Sequence, residues 1–266
     1  MRLTLLRKAL RDDRRAILGW TVGVAAFLLV YLPFYSEFAE DTAGAEEMLE
    51  VIPEGMRTAM GMQELFTGAG FLESMVFNLY GPLLLVVYAV VLGNRAIAVP
   101  EESGRLDQLL ALPISRQRYV HERLAALTIE VVYLTAVLCA IVLAFAVGLD
   151  MGVALGNIVA ISVGVGLLAL LFGTLTVAVG GLSGSRGLGL TVTGAVAVGT
   201  YLVHVLSDAG AELVEPLRWA SPFHYYLDAD PLRDGIPLGS YAVLLGVIII
   251  LAVAATVTFE RRDIGV

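Results

Sequence analysis

Residues 74–123 read SMVFNLYGPLLLVVYAVVLGNRAIAVPEESGRLDQLLALPISRQRYVHER. Two regimes meet inside this one stretch. Residues 74–99 carry a single charge, Arg95, and show no alternation of apolar and polar positions. A helix needs roughly 20 mostly apolar residues to cross the hydrocarbon of a membrane, and this run exceeds that. A strand of a membrane barrel would alternate with period two, which this run does not. Pro100 then opens a polar island that lasts to Arg123, after which a second long apolar run begins. The pattern is that of a polytopic membrane protein.

Working outward, five further runs qualify as spans, at about 17–35, 124–149, 154–180, 188–207 and 238–259. The run at 74–99 is long enough to tilt or to extend beyond the hydrocarbon. Of 266 residues, 58% are hydrophobic and 16% charged. A soluble domain carries roughly 25% charged residues. Mean hydropathy is +0.82. The expected fold is therefore an all-α polytopic membrane protein with six transmembrane helices. The fourth and fifth runs are separated only by Gly181-Leu182-Ser183-Gly184-Ser185-Arg186-Gly187, which reads as a tight hairpin. Cys139, the single cysteine, lies inside an apolar run and can form no intrachain disulfide. Six basic residues precede the first run, which is too long for a signal-peptide core, so no cleaved leader is expected.

Orientation follows from Lys and Arg. Arg2, Arg7, Lys8, Arg11, Arg14 and Arg15 precede the first span, and Arg95, Arg105, Arg116, Arg118 and Arg123 flank the second connection. Arg186, Arg261 and Arg262 fall on the same side. Only Arg57, Arg218 and Arg233 of the 17 basic residues fall on the other. Both termini and the polar island are expected in the cytoplasm, in a cell membrane. The opposite side is acidic, with Glu37, Glu40, Asp41, Glu46, Glu47 and further acids in the first external loop. Such a field could concentrate cations at a pore mouth. A salt-adapted surface is the favoured reading, because Lys occurs once against sixteen Arg and Ala, Val and Gly abound, as in a GC-rich halophile.

Residues 2–15 pair Leu3, Leu5, Leu6, Ala9 and Leu10 with the basic cluster. That predicts an interfacial helix, apolar toward lipid and basic toward anionic head groups. In the first external loop Met48, Leu49, Ile52, Met56, Ala59 and Met60 recur at helical spacing around Pro53, predicting short helices on the outer leaflet. Met48, Met56, Met60, Met62 and Met75 admit a copper(I) thioether reading. The pliable apolar face of those helices is the simpler account, and no metal site is expected. Residues 216–226, with Trp219, His224, Tyr225 and Tyr226, read as a short helix or re-entrant element at the outer interface.

Ionisable groups within spans are few and default to a functional question. Glu130 is expected to pair with Arg95 or Arg123 near the inner interface, with proton or cation coupling as the sharper alternative. His204 reads as a hydrogen-bonded interfacial residue. Glycines crowd the fourth and fifth runs, which suits either a tight dimer seam or a moving pathway.

Within the island, Leu106, Leu109, Leu110 and Leu112 form an apolar stripe beside Glu101, Glu102, Arg105 and Asp107. Pro113 breaks that helix, and Ser115 is placed to cap a second one through Arg116, Arg118, His121 and Arg123 into the third span. The result is an elbow with a charged rim, suited to docking. The pattern Glu101-Glu102-x-Gly104-x-Leu106-x-x-Leu109-Leu110-x-Leu112-Pro113-Ile114-Ser115-Arg116 resembles the signature of ABC-2-type permeases. Ile52-Pro53-Glu54, Gly70-Phe71-Leu72, Ser221-Pro222-Phe223-His224-Tyr225 and Phe259-Glu260-Arg261-Arg262-Asp263 resemble other segments of the same family, so the likeness spans nearly the whole chain.

That resemblance implies a six-span half-transporter that works as a homodimer or heterodimer with a second permease, surrounded by membrane lipids and served by cytosolic ABC ATPase subunits. It implies that the island is the coupling segment, with Glu101, Glu102, Gly104, Leu106, Leu109, Leu110, Pro113, Ser115 and Arg116 contacting the ATPase. It also implies that the second and fifth spans line a central cavity, pointing to Phe77, Asn78, Tyr80, Tyr88, Thr191, Thr193, Thr200 and Tyr201. No Gly-x-x-x-x-Gly-Lys-Ser/Thr occurs, and residues 181–187 have the glycines without the lysine. The chain is thus expected to hold no cofactor and to be no enzyme by itself; ATP and magnesium would sit on the partner ATPase. No nucleic acid is expected. An ion-coupled carrier or channel using Glu130 is the competing reading. An intramembrane enzyme lacks a Ser–His or metal-ligand constellation in the spans.

Overall fold

The computed structural model describes residues 4–40, 65–104, 115–211 and 213–262. Six of its helices are long and apolar enough to cross a membrane: Arg14–Glu37, Gly68–Ala96, Arg116–Gly148, Leu155–Ser183, Arg186–Asp208 and Leu238–Arg261. They are called spans 1 to 6. Among the described residues there is no strand. The protein is an all-α polytopic membrane protein. The short outer helices read around Met48, Met56, Met60 and Met62 lie outside the described residues.

Span 4 is the hub. Its window is mostly buried, whereas spans 1, 5 and 6 are covered on one side only. Apolar composition explains why it can sit inside: residues 155–183 contain no charged side chain. Spans 2 and 6 make its closest neighbours, spans 3 and 5 also pack against it, and span 1 packs against span 3. Where spans 2 and 4 cross, a side chain at Gly93 would collide with the Gly173 carbonyl oxygen, and one at Gly173 would press on Ala89 and Leu127. Small residues let the two backbones approach, and in lipid that packing replaces the hydrophobic drive.

Span ends are set by backbone chemistry more than by hydropathy. The Ser115 side chain accepts a hydrogen bond from the Arg118 N–H at 3.3 Å and starts one unbroken helix of 33 residues, Arg116–Gly148. The apolar run began only near residue 124, because the polar first turns need not lie in hydrocarbon. Ser185 likewise caps span 5, and Gly184, at φ +64°, makes the turn from span 4. That left-handed position strains any residue with a Cβ. Span 2 begins at Gly68, earlier than the apolar run, and passes through a π-helical turn at Glu73–Phe77 before Tyr80–Ala96. The turn frees the Phe77 carbonyl, which accepts a 2.8 Å hydrogen bond from the fully buried Tyr226 hydroxyl. Tyr226 belongs to a short helix, Pro222–Leu227, which follows a 3-10 turn at Glu215–Ala220. This outer element therefore plugs the bundle beside the irregular part of span 2.

The N-terminal helix, Thr4–Asp12, turns Leu5 and Ala9 inward and leaves Arg7, Lys8 and Arg11 exposed. Its first turn is held by Glu122 of span 3, whose Oε2 accepts the Leu6 N–H at 3.0 Å. A carboxylate at a helix N-terminus also meets the positive end of the helix dipole. At the other end of the same helix, Asp13 pairs with Arg95 of span 2 at 3.1 Å.

Candidate functional site

The two described ends of the polar island meet at the basic end of the bundle. A short helix, Ala98–Glu102, follows a break at Ile97, and Gly104 then adopts φ +67°. Glu101 is bound by both terminal nitrogens of Arg262, the longer contact being 3.2 Å. The Arg262 guanidinium also donates to the Gly181 carbonyl oxygen at 3.3 Å. Arg116, on the far side of the island, donates to the Arg262 carbonyl oxygen at 2.6 Å. Gln117 donates to the Glu260 carboxylate at 2.8 Å. Glu102 accepts the Arg186 N–H at 2.7 Å, at the start of span 5. Both flanks of the island, the span 4–5 turn and the end of span 6 are thus one polar knot. The Glu101 and Arg262 side chains are 16% and 24% exposed, so water screens their pair only in part. Leu106, Leu109, Leu110 and Pro113 lie outside the described residues.

A second feature is a wholly apolar cavity of about 210 Å³ between spans 2 and 5. Pro82, Leu83 and Val86 form one wall, Val198 and Tyr201 the other, and Phe223 of the outer element lines its end. Of the eight residues named for a cavity between these spans, Tyr201 lines this one. Tyr80 stacks on Tyr31 and packs against Phe27 of span 1. Thr193 is buried against the Thr176 hydroxyl at 3.1 Å, and Thr191 is exposed on span 5. The Thr200 carbonyl accepts from Ser221 at 2.8 Å. Phe77 and Asn78 are buried at the π-helical turn.

Glu130 pairs with neither arginine proposed for it. Arg95 is taken by Asp13, and Arg123 lies over the Tyr119 ring at 5.2 Å. Instead Glu130 Oε2 accepts a 2.5 Å hydrogen bond from the Tyr88 hydroxyl of span 2. Sequence spacing could not reveal this, because the partners are 42 residues apart on different spans.

The geometry is that of a multi-pass bundle with a polar knot joining the flanks of the connection between its second and third spans. A family model described as ABC-2 family transporter protein matches residues 3–264. The chain belongs to the ABC-2 transporter family. No curated protein matches it. An ABC-2 membrane protein is a membrane component of an ABC transporter, a system in which an ATPase partner is implied.

In this ABC-2 protein the residues that sequence reasoning missed are those at the far ends of spans. Arg262 read as orientation charge, Glu260 and Arg262 as part of a family-like ending, and Gln117 drew no reading, yet all three tie the flanks of the island. The available signal was position: each lies within two turns of a span end on the basic side. At the acidic end, Asp228 accepts Arg218 at 3.2 Å and faces His224 Nδ1 at 3.1 Å, while His204 faces Asp208 at 3.4 Å. Among the described residues, no group of three His, Cys, Asp or Glu side chains is placed to hold a metal ion.

Proposed function

We propose that this chain is the permease subunit of an ATP-driven exporter, coupled to a separate cytosolic ATPase through residues 100–123. The knot at the basic end carries the reading. A load applied to the island reaches span 6 through Glu101–Arg262, span 5 through Glu102–Arg186 and span 3 directly through Ser115. A merely solvated loop has no need of such ties. The excess of Lys and Arg at this end supports a cytoplasmic face for the island and both termini.

ATP and magnesium then bind the partner ATPase. Residues 181–187 lack the lysine that cradles phosphate, and Gly184 is spent on the turn between spans 4 and 5. Two six-span chains, identical or not, would complete the pathway. The apolar wall between spans 2 and 5 supports a path along that face.

The test is co-expression with the cognate ATPase and reconstitution. Reversing charge at Glu101, Glu102 and Arg116 together is expected to abolish ATP-driven transport, and to weaken co-purification of the ATPase. Full assembly and full ATP-coupled transport in that variant would overturn the coupling assignment. Transport that persists with the ATPase absent would favour an ion-coupled carrier instead.

A further inference from the structure

The buried carboxyl of Glu130 has no place in the coupling scheme, and its surroundings point to a ligand of its own. Glu130 and Tyr88 are each 2% exposed, at the contact of spans 2 and 3. One carboxyl oxygen accepts the Tyr88 hydroxyl, and the other, Oε1, is buried with no hydrogen-bond partner among the described residues. Trp20 of span 1 packs against the Tyr88 ring, with centroids 5.6 Å apart. The charged groups facing Glu130 are Asp13 and Arg95, which are already paired with each other. Arg123 lies two turns away on the same helix, over Tyr119. Span 4, packed behind, contributes no titratable side chain.

An isolated ionised carboxylate is costly in such a place. A calcium or magnesium ion does not fit, since such ions take six or more oxygens and, among the described residues, no group of three His, Cys, Asp or Glu side chains is placed to hold a metal. The species that fits is the smallest cation. We infer that Glu130, with Tyr88, is an intramembrane proton-binding site. Each chain takes up one proton on the Glu130 carboxyl, which loses its charge. Separation of spans 2 and 3 breaks the Tyr88 hydrogen bond, so proton occupancy and the arrangement of these spans are linked, each biasing the other. This holds independently of the ATPase assignment, because the site lies wholly within spans 1 to 3.

Trp20 supplies the readout. Trp219 is the only other tryptophan, so Trp219→Phe leaves Trp20 as the sole emitter. The full-length W219F chain in lipid nanodiscs is titrated with pH while its emission is followed. A single one-proton transition is expected. It is expected to vanish in W219F/E130Q, to change midpoint in W219F/Y88F, and to survive in W219F/D13N. A flat profile in the W219F parent, an unchanged transition in the E130Q variant, or its loss in D13N alone would overturn the site. If E130Q does not give a monodisperse protein, Y88F decides, and a curve superposable on the parent overturns the site.

Discussion

At the residue scale, this protein uses single side chains as ties between distant helices. Glu122 binds the Leu6 N–H and the Arg118 Nε at once, the latter at 2.7 Å. Removing it strands a backbone donor, which typically costs about 1–3 kcal/mol where water cannot replace it. Glu122→Ala is therefore expected to release the Thr4–Asp12 helix, seen as faster amide exchange and proteolysis there. Arg118→Ala is expected to do much less, because Arg118 is 41% exposed and its ion pair is screened. Equal effects of the two would show that Glu122 acts as Arg118's partner and not as the helix's cap. Tyr226 gives a second test. Tyr226→Phe keeps the ring and removes only the bond to the Phe77 carbonyl. Because the buried carbonyl is left unpaired, the expected loss is about 1–3 kcal/mol of stability, read as a lower melting point in detergent.

At the element scale, spans 2 and 4 cross backbone to backbone, with no room for a side chain at Gly93. Gly93→Val is expected to force the helices apart and destabilise by about 1–3 kcal/mol or more. Gly194→Ala on span 5 is the control, since a Cβ there meets nothing within 4 Å. It is expected to be neutral, or stabilising by up to ~1 kcal/mol from helix propensity. Thermal unfolding of the two variants separates packing from propensity. The elements themselves were largely legible. Apolar runs marked all six spans, and Ser115 announced the start of span 3. What hydropathy could not show was backbone irregularity. Glu73-Ser74-Met75-Val76-Phe77 does not announce a π-helical turn by hydropathy, and the buried tyrosine that bonds the Phe77 carbonyl there lies 149 residues away in sequence. Partners were illegible for the same reason. Glu101 and Arg262 are separated by 161 residues, and Glu130 met a tyrosine where an arginine stood closer in the charge pattern.

At the scale of the whole molecule, the proposed topology can be checked without any substrate. In a Cys139→Ser background, single cysteines replace Lys8, Arg186 or Trp219. Trp219 is 61% exposed on the acidic end. On intact cells a membrane-impermeant maleimide is expected to label the Trp219 position alone, and the other two only after lysis. Labelling of position 8 on intact cells would invert the orientation and remove the island from any cytosolic partner.

Span 3 has one further consequence. A helix of 33 residues rises about 50 Å at 1.5 Å per residue, against roughly 30 Å of hydrocarbon. It is a single rod whose foot, at Ser115, stands beside the polar knot. A rod of that length works as a lever. Pivoted near its middle, a tilt of ~10° swings each tip by ~4 Å, from the rise per residue alone. A modest push at the island therefore arrives at Gly148, on the far side of the membrane, as a displacement wide enough to part helices. The Tyr88 contact of Glu130, near the middle of that rod, sits close to the fulcrum, where the same tilt appears as rotation and not as travel.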